Sequence, residues 1–229
     1  MRSASIVLAF LAVCLLPSVC EAGCAADQHD GIICGEGKDA ARIIEDTTSP
    51  DKKLAIAWRC SAGMPADEKE PAGDVEDVII RLADGQVLGK LGGQYWNTGT
   101  MRPNRDEFYA SWSSDSHAVV EVANARWDTT AFAYYAIDTG KSTKVDLLPL
   151  VSSALKAKIP AGQRQMRVFR VLAEEELKVD NGGHLSFKAM LFEPKQEETE
   201  RDFAVSVAIT TGKGQPTARV EQIRSVKAN

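Results

Sequence analysis

Ser49-Pro50-Asp51-Lys52-Lys53-Leu54-Ala55-Ile56-Ala57-Trp58 is the stretch on which the reading of this chain turns. It is a polar turn followed at once by an apolar run. Pro presets φ, and Ser or Asp bonds the backbone just ahead, so the first residues start a tight turn. Leu54, Ile56 and Trp58 then alternate with Ala55 and Ala57, which makes one face bulky and the other small. That period is a strand's. The unit recurs, altered, as Ser113-Ser114-Asp115-Ser116-His117-Ala118-Val119-Val120-Glu121-Val122, with its Asp 64 residues further on (115 minus 51).

Outward from these two units the pattern stays β. Asp77–Leu82 reads as a buried strand, and Asp84-Gly85 as a hairpin turn that returns along Gln86–Leu91. Glu107–Trp112 and Thr129–Ile137 are further strands on either side of the second unit. The period changes after Asp146: Leu147, Leu148, Val151, Ala154, Leu155 and Ile159 follow a three-to-four spacing that predicts a helix over 147–158. Asp146 is placed to cap it, Pro149 is tolerable in its first turn, and Pro160 stops it. Beyond it, Met166–Leu172, Leu185–Phe192, Phe203–Ile209 and Thr217–Val226 read as strands, and 194–202 as a charged loop. Residues 61–76, with their Asp, Glu, Pro and Gly, read as a solvated loop. The expected class is mainly β: antiparallel meanders forming an open sheet or sandwich, with one α-helix. A boundary at Pro160-Ala161-Gly162 divides 23–160 from 161–229, or the two form one continuous domain.

An aromatic, then Ser-Pro-Asp-Gly, then an apolar strand resembles the blade repeat of TolB-like β-propellers. Trp112–Ser116 with Ala118–Val122 looks like one such unit, and Ser49–Lys52 with Leu54–Trp58 like another. The resemblance covers 40–60 and 105–140, and nothing after the helix. Ser114 replaces Pro, Lys52 and Ser116 replace Gly, and blades usually recur at about 40–45 residues. The resemblance therefore implies blade-like meanders in an open arrangement. It carries over a structural turn and no site residue.

Composition and charge bound the function. The chain has 229 residues, 44% hydrophobic and 26% charged, enough for a sizeable core. A net charge of −5 argues against a nucleic-acid partner, which favours a basic face. Arg2, the apolar run Ile6–Leu16 and small residues up to Gly23 make a secretory signal peptide over 1–22, too short to span a membrane comfortably. With Cys14 and Cys20 removed, Cys24, Cys34 and Cys60 remain. Three arrangements are open: Cys24 with Cys34, Cys34 with Cys60, or a lipid on Cys24 with the other two paired. Cys60 is in phase with Leu54, Ile56 and Trp58, which favours a core thiol and the Cys24–Cys34 pair. No Asn-x-Ser/Thr acceptor occurs, which leans toward a bacterial periplasmic or secreted protein.

No catalytic or cofactor signature stands out. His29, His117 and His184 lack ligand-spaced partners, apart from Cys24 and Cys34 beside His29, and those serve better as a disulfide. Ser113, Asp115 and His117 lie in one turn, too close in sequence to converge as a triad does. Acidic runs such as Asp106-Glu107 and Glu174-Glu175-Glu176 read as surface charge. Aromatics concentrate between 95 and 135, where core packing explains most. Tyr95 and Trp96, adjacent in a Gly-rich loop, are the candidate ligand-binding pair. No cofactor or metal is expected. The expected function is a non-catalytic binding or scaffold module of the bacterial envelope, holding a protein or glycan. The alternative is an envelope hydrolase with catalytic residues far apart in the chain.

Overall fold

Both turns stand where the reading puts them, each leading into a central strand of its sheet. The computed structural model describes residues 23–27, 31–65, 69–103, 105–164, 167–212 and 215–226. The expected signal peptide over 1–22 and His29 lie outside the described residues. The first sheet runs in chain order: β1 (Cys24–Ala26), β2 (Ile32–Cys34), β3 (Ala41–Ile43), β4 (Leu54–Cys60), β5 (Val75–Arg81) and β6 (Val87–Lys90). The second holds β7 (Glu107–Trp112), β8 (Ala118–Asn124), β9 (Thr129–Asp138) and β10 (Lys141–Asp146). Helix α1 (Leu148–Lys156) follows. The third sheet contains β11 (Val168–Val171), the short helix α2 (Ala173–Glu176) in its first connection, then β12 (Lys178–Val179), β13 (His184–Glu193), β14 (Gln196–Thr210) and β15 (Thr217–Val226). All neighbouring strands are antiparallel, as short turns between consecutive strands require.

The second sheet is the middle layer and is covered on both faces. Every residue of β8 is buried. Its Val119, with Ala133 and Tyr135 of β9, packs against Ile56, Trp58 and Ile79 of the first sheet. Its Val120 and Val122, with Phe132, pack toward the third sheet and against Val151 and Leu155 of α1. Phe132 and Phe187 meet edge to face with centroids 4.9 Å apart, a favoured aromatic geometry. The third sheet turns Leu185, Phe187, Val205 and Val207 back to this core.

The small face of β4 has its own cover. Ala55 and Ala57 are fully buried with Val78, Ile80 and Cys34. Cys24 touches the carbonyl of Leu82, just past β5, although β2, β3 and β4 separate β1 from β5 in the sheet order. The sheet therefore curls so that its first hairpin lies over its outer face, and alanines leave room for it. Cys24 and Cys34 are paired opposite each other on this hairpin and joined as a disulfide. Cys60 is a buried free thiol in the core on the bulky side, as its phase predicts.

One expectation changes. Residues 196–202 are strand: β14 begins at Gln196 after a turn with Lys195 at φ 72°, and Leu191 pairs with Arg201. Their charges read as a loop because ladder hydrogen bonds, which hold them, are blind to side-chain polarity. At Thr139-Gly140 the chain turns, and β10 returns beside β9 as far as Asp146. Asp146 accepts a bond from the Leu148 amide at 3.1 Å, but it stands one residue before the N-cap position, which Leu147 holds without a side-chain cap.

Candidate functional site

The site grows out of the turn. In the first copy Ser49 Oγ donates to Asp51 Oδ1 at 2.7 Å, the Lys53 amide donates to the same oxygen at 3.1 Å, and the Leu54 amide donates to Ser49 Oγ at 3.0 Å. In the second copy Ser113, Asp115, His117 and Ala118 repeat each bond, at 2.6, 3.1 and 2.9 Å. These bonds, the serine hydroxyl first, hold the Asp51 and Asp115 carboxyls below the usual carboxylate range. The fourth residue of each turn, Lys52 or Ser116, has a left-handed φ near 60°.

A third copy was not visible in the sequence. Asp180-Asn181-Gly182-Gly183 leads into β13, and Gly183 takes the left-handed position at φ 79°. Here one residue replaces two: Asp180 Oδ1 accepts the amides of Gly182 and His184, both at 2.8 Å. The three turns lie side by side. The Asp51 amide donates to Ser116 Oγ at 3.1 Å, and the Asp115 amide donates to Asn181 Oδ1 at 3.2 Å.

Between the second and third turns a cleft of about 400 Å³ opens. Position equivalence explains it. Leu54 in the first unit corresponds to Ala118 in the second, and Ala118 is paired with Ala136. Two methyl groups leave space that a leucine fills at the other junction. The cleft is lined by these alanines, Ile137 and Tyr134, by Asp115, His117, Asp138, Lys141 and Thr143 of the middle sheet, and by Asp180, Asn181, Thr211, Gly212 and Pro216. Tyr134 is 4% exposed, and burial, then Asp115 and Asp180, raise its phenol's pKa.

The other junction hides two acids. Glu121, fully buried, accepts the amides of Gly92 and Gly93 and the hydroxyl of Tyr135 at 2.8 Å. Asp77, also fully buried, accepts the Tyr95 amide at 2.9 Å, while its Oδ1 has no partner among the described residues. Burial, with Glu121 adding repulsion, pushes the Asp77 carboxyl well above its usual value. Gly93 fits between them because a Cβ there would meet both carboxyls at 2.9 Å. A lone Glu inside an apolar strand was the one available signal for this pair.

These acids anchor the loop that carries Tyr95 and Trp96. Both rings are half-buried against the core between the first and second sheets, and Tyr95 lies tilted against Phe108 at 5.8 Å. Tyr95 also lines a small cavity of about 290 Å³ with Glu45, Asp46 and Asn97. Ser113 Oγ is engaged with Asp115 rather than with His117. His184 is exposed beside Glu221, 3.4 Å away. Among the described residues no group of three or more His, Cys, Asp and Glu side chains is placed to hold a metal ion. Compared with protein-family models, curated proteins and solved structures, the chain finds no match.

Proposed function

We propose that this is an exported protein of the bacterial envelope that acts as a non-catalytic binding or scaffold module, engaging a protein or glycan at the cleft between the second and third sheets. The cleft carries this reading. Its volume falls in the range of ligand sites, and it combines an apolar floor with a few convergent polar groups, the usual make-up of such sites. Its polar side chains come from separate segments, so they converge only in the folded chain. The Cys24–Cys34 disulfide supports an oxidising compartment, periplasmic or extracellular. No helix among the described residues is long and apolar enough to cross a membrane.

The test is capture from envelope extract with a photo-crosslinking residue at His117, which is exposed at the cleft mouth. A discrete partner crosslinked there supports the reading. Crosslinks that appear only from the Tyr95–Trp96 loop move the site to that loop. Multiple-turnover cleavage of an envelope substrate would replace the binding reading with the hydrolase.

A further inference from the structure

The three turns differ in what meets the outward oxygen of the Asp. In the first, Lys53 Nζ lies 3.6 Å from Asp51 Oδ2. The residue equivalent to Lys53 is His117 in the second turn and His184 in the third. The His184 ring faces Glu221 instead. Asp115 and Asp180 each bind their own turn through Oδ1, which leaves Oδ2 of both outside the turn's bonding. Both residues line the cleft, with Asp138 as a third acid against Lys141 and His117.

A second observation points the same way. Tyr134 lines the cleft at 4% exposure, and its hydroxyl has no hydrogen-bond partner among the described residues. Its neighbour Tyr135 does have one, in Glu121. The ring is buried while the hydroxyl opens on the cleft, so its partner there has to come from outside the chain. Around it stand carboxylates with a free oxygen and the apolar side chains of Ala118, Ala136 and Ile137.

We infer that the cleft receives a lysine or arginine side chain of a protein partner. Its aliphatic stem lies on Ala118, Ala136 and Ile137, and its charged end meets Asp115, Asp180 and the Tyr134 hydroxyl. This rests on the binding reading above. An ammonium or guanidinium has donors for all three oxygens and no acceptor to waste on them. The stem distinguishes it from an amino sugar, whose amine stands directly on a hydroxylated ring and leaves the alanine floor unmatched.

The test is an NMR amide-shift titration of the full chain with Ac-Gly-Lys-Gly-NH2 and Ac-Gly-Arg-Gly-NH2. The Nε-acetyl-lysine peptide is the uncharged control, and glucosamine is the amine without a stem. A charged peptide should perturb His117, Asn181 and Thr211, and its affinity should fall as salt rises. Asp115→Asn and Asp180→Asn, which keep the Oδ1 acceptor of the turn, should each weaken it roughly tenfold. Tyr134→Phe should weaken it roughly threefold to tenfold without lowering the melting temperature. Equal binding of the acetylated peptide overturns the inference, as does an unchanged affinity in Tyr134→Phe. Perturbation by glucosamine alone assigns the cleft to a sugar amine and overturns the protein side chain. If no probe binds while His117 still crosslinks an envelope partner, the cationic inference fails and the binding reading stands. If the crosslink is lost as well, both fall.

Discussion

The two junctions of this stack start from the same turn and end in opposite ways. Between the first and second sheets, Leu54, Trp58 and Tyr135 fill the space, and two carboxylic acids are sealed away with a glycine loop between them. Between the second and third, alanines stand where the larger side chain would be, and the carboxylates stay in water beside an open cleft. The difference teaches where function can reside. A buried acid sealed between two sheets is structural, because no ligand reaches it. An exposed acid with one oxygen fixed by its own turn is already oriented, and its other oxygen is available.

The largest expected effect sharpens the closed side of this comparison. Glu121→Ala would leave the Gly92 and Gly93 amides and the Tyr135 hydroxyl buried without an acceptor. We expect a loss of about 4 kcal/mol in denaturant unfolding, since each unmet buried group costs roughly 1–3 kcal/mol. A loss below about 1 kcal/mol would show that water reaches the junction and that it is not sealed.

Next is the loop these acids hold. Tyr95→Ala with Trp96→Ala should cost about 3 kcal/mol, less than two fully buried aromatics would, because each ring is only half covered. An unchanged melting temperature would return the pair to an exposed platform and make this loop, not the cleft, the first place to look for a ligand.

Asp77→Asn should act in the other direction. Its folded pKa is raised by burial, so Asp77's contribution to stability is fully present below the unfolded value of about 3.8 and is lost as pH rises through the folded value. The amide keeps the acceptor for Tyr95 and carries no charge to bury. The variant should therefore equal the parent in acid and gain on it toward neutral pH, by about 2 kcal/mol. Parallel stability curves over that range would mean the Asp77 proton is not taken up on folding. Asp51 and Asp115 work the opposite way: their lowered values add stability above the unfolded pKa, and it is lost as pH falls.

The smallest effect concerns the turns themselves. Asp51→Ala and Asp115→Ala should each cost about 1 kcal/mol for lost turn bonds. Only Asp115→Ala should also alter the cleft. Thermal melts paired with the peptide titration separate the two, and an equal loss of binding in both would erase the distinction between the junctions.

Much of the architecture is legible in the sequence alone. The strands Glu107–Trp112 and Thr217–Val226 are where alternation puts them, and α1 follows Asp146 as its spacing requires. The phase of Cys60 with Trp58 was enough to separate it from the Cys24–Cys34 pair. Such features are local: a two-residue or three-to-four period records which side of an element is buried. Asn181-Gly182-Gly183 reads as a turn before β13, but its likeness to the other two turns escaped because Asp180 does alone what a serine and an aspartate do together in them.

What only the tertiary structure decided is which face meets which. Glu121 and Asp115 are both acids within a few residues of one turn, and nothing local tells them apart. One points into a layer that the first sheet covers, and the other stands at an edge that no layer covers. Burial is set by the neighbouring sheet, brought there by chain far away in sequence, and burial decides whether a carboxyl holds the fold together or remains free to hold something else. The sequence by itself determined most of the strands, the turns and helix α1, since the periods and turn bonds that mark them are internal to each segment. The cleft exists only because Ala118, Ala136, Asp180 and Pro216, which belong to different strands and turns, are brought to the same place.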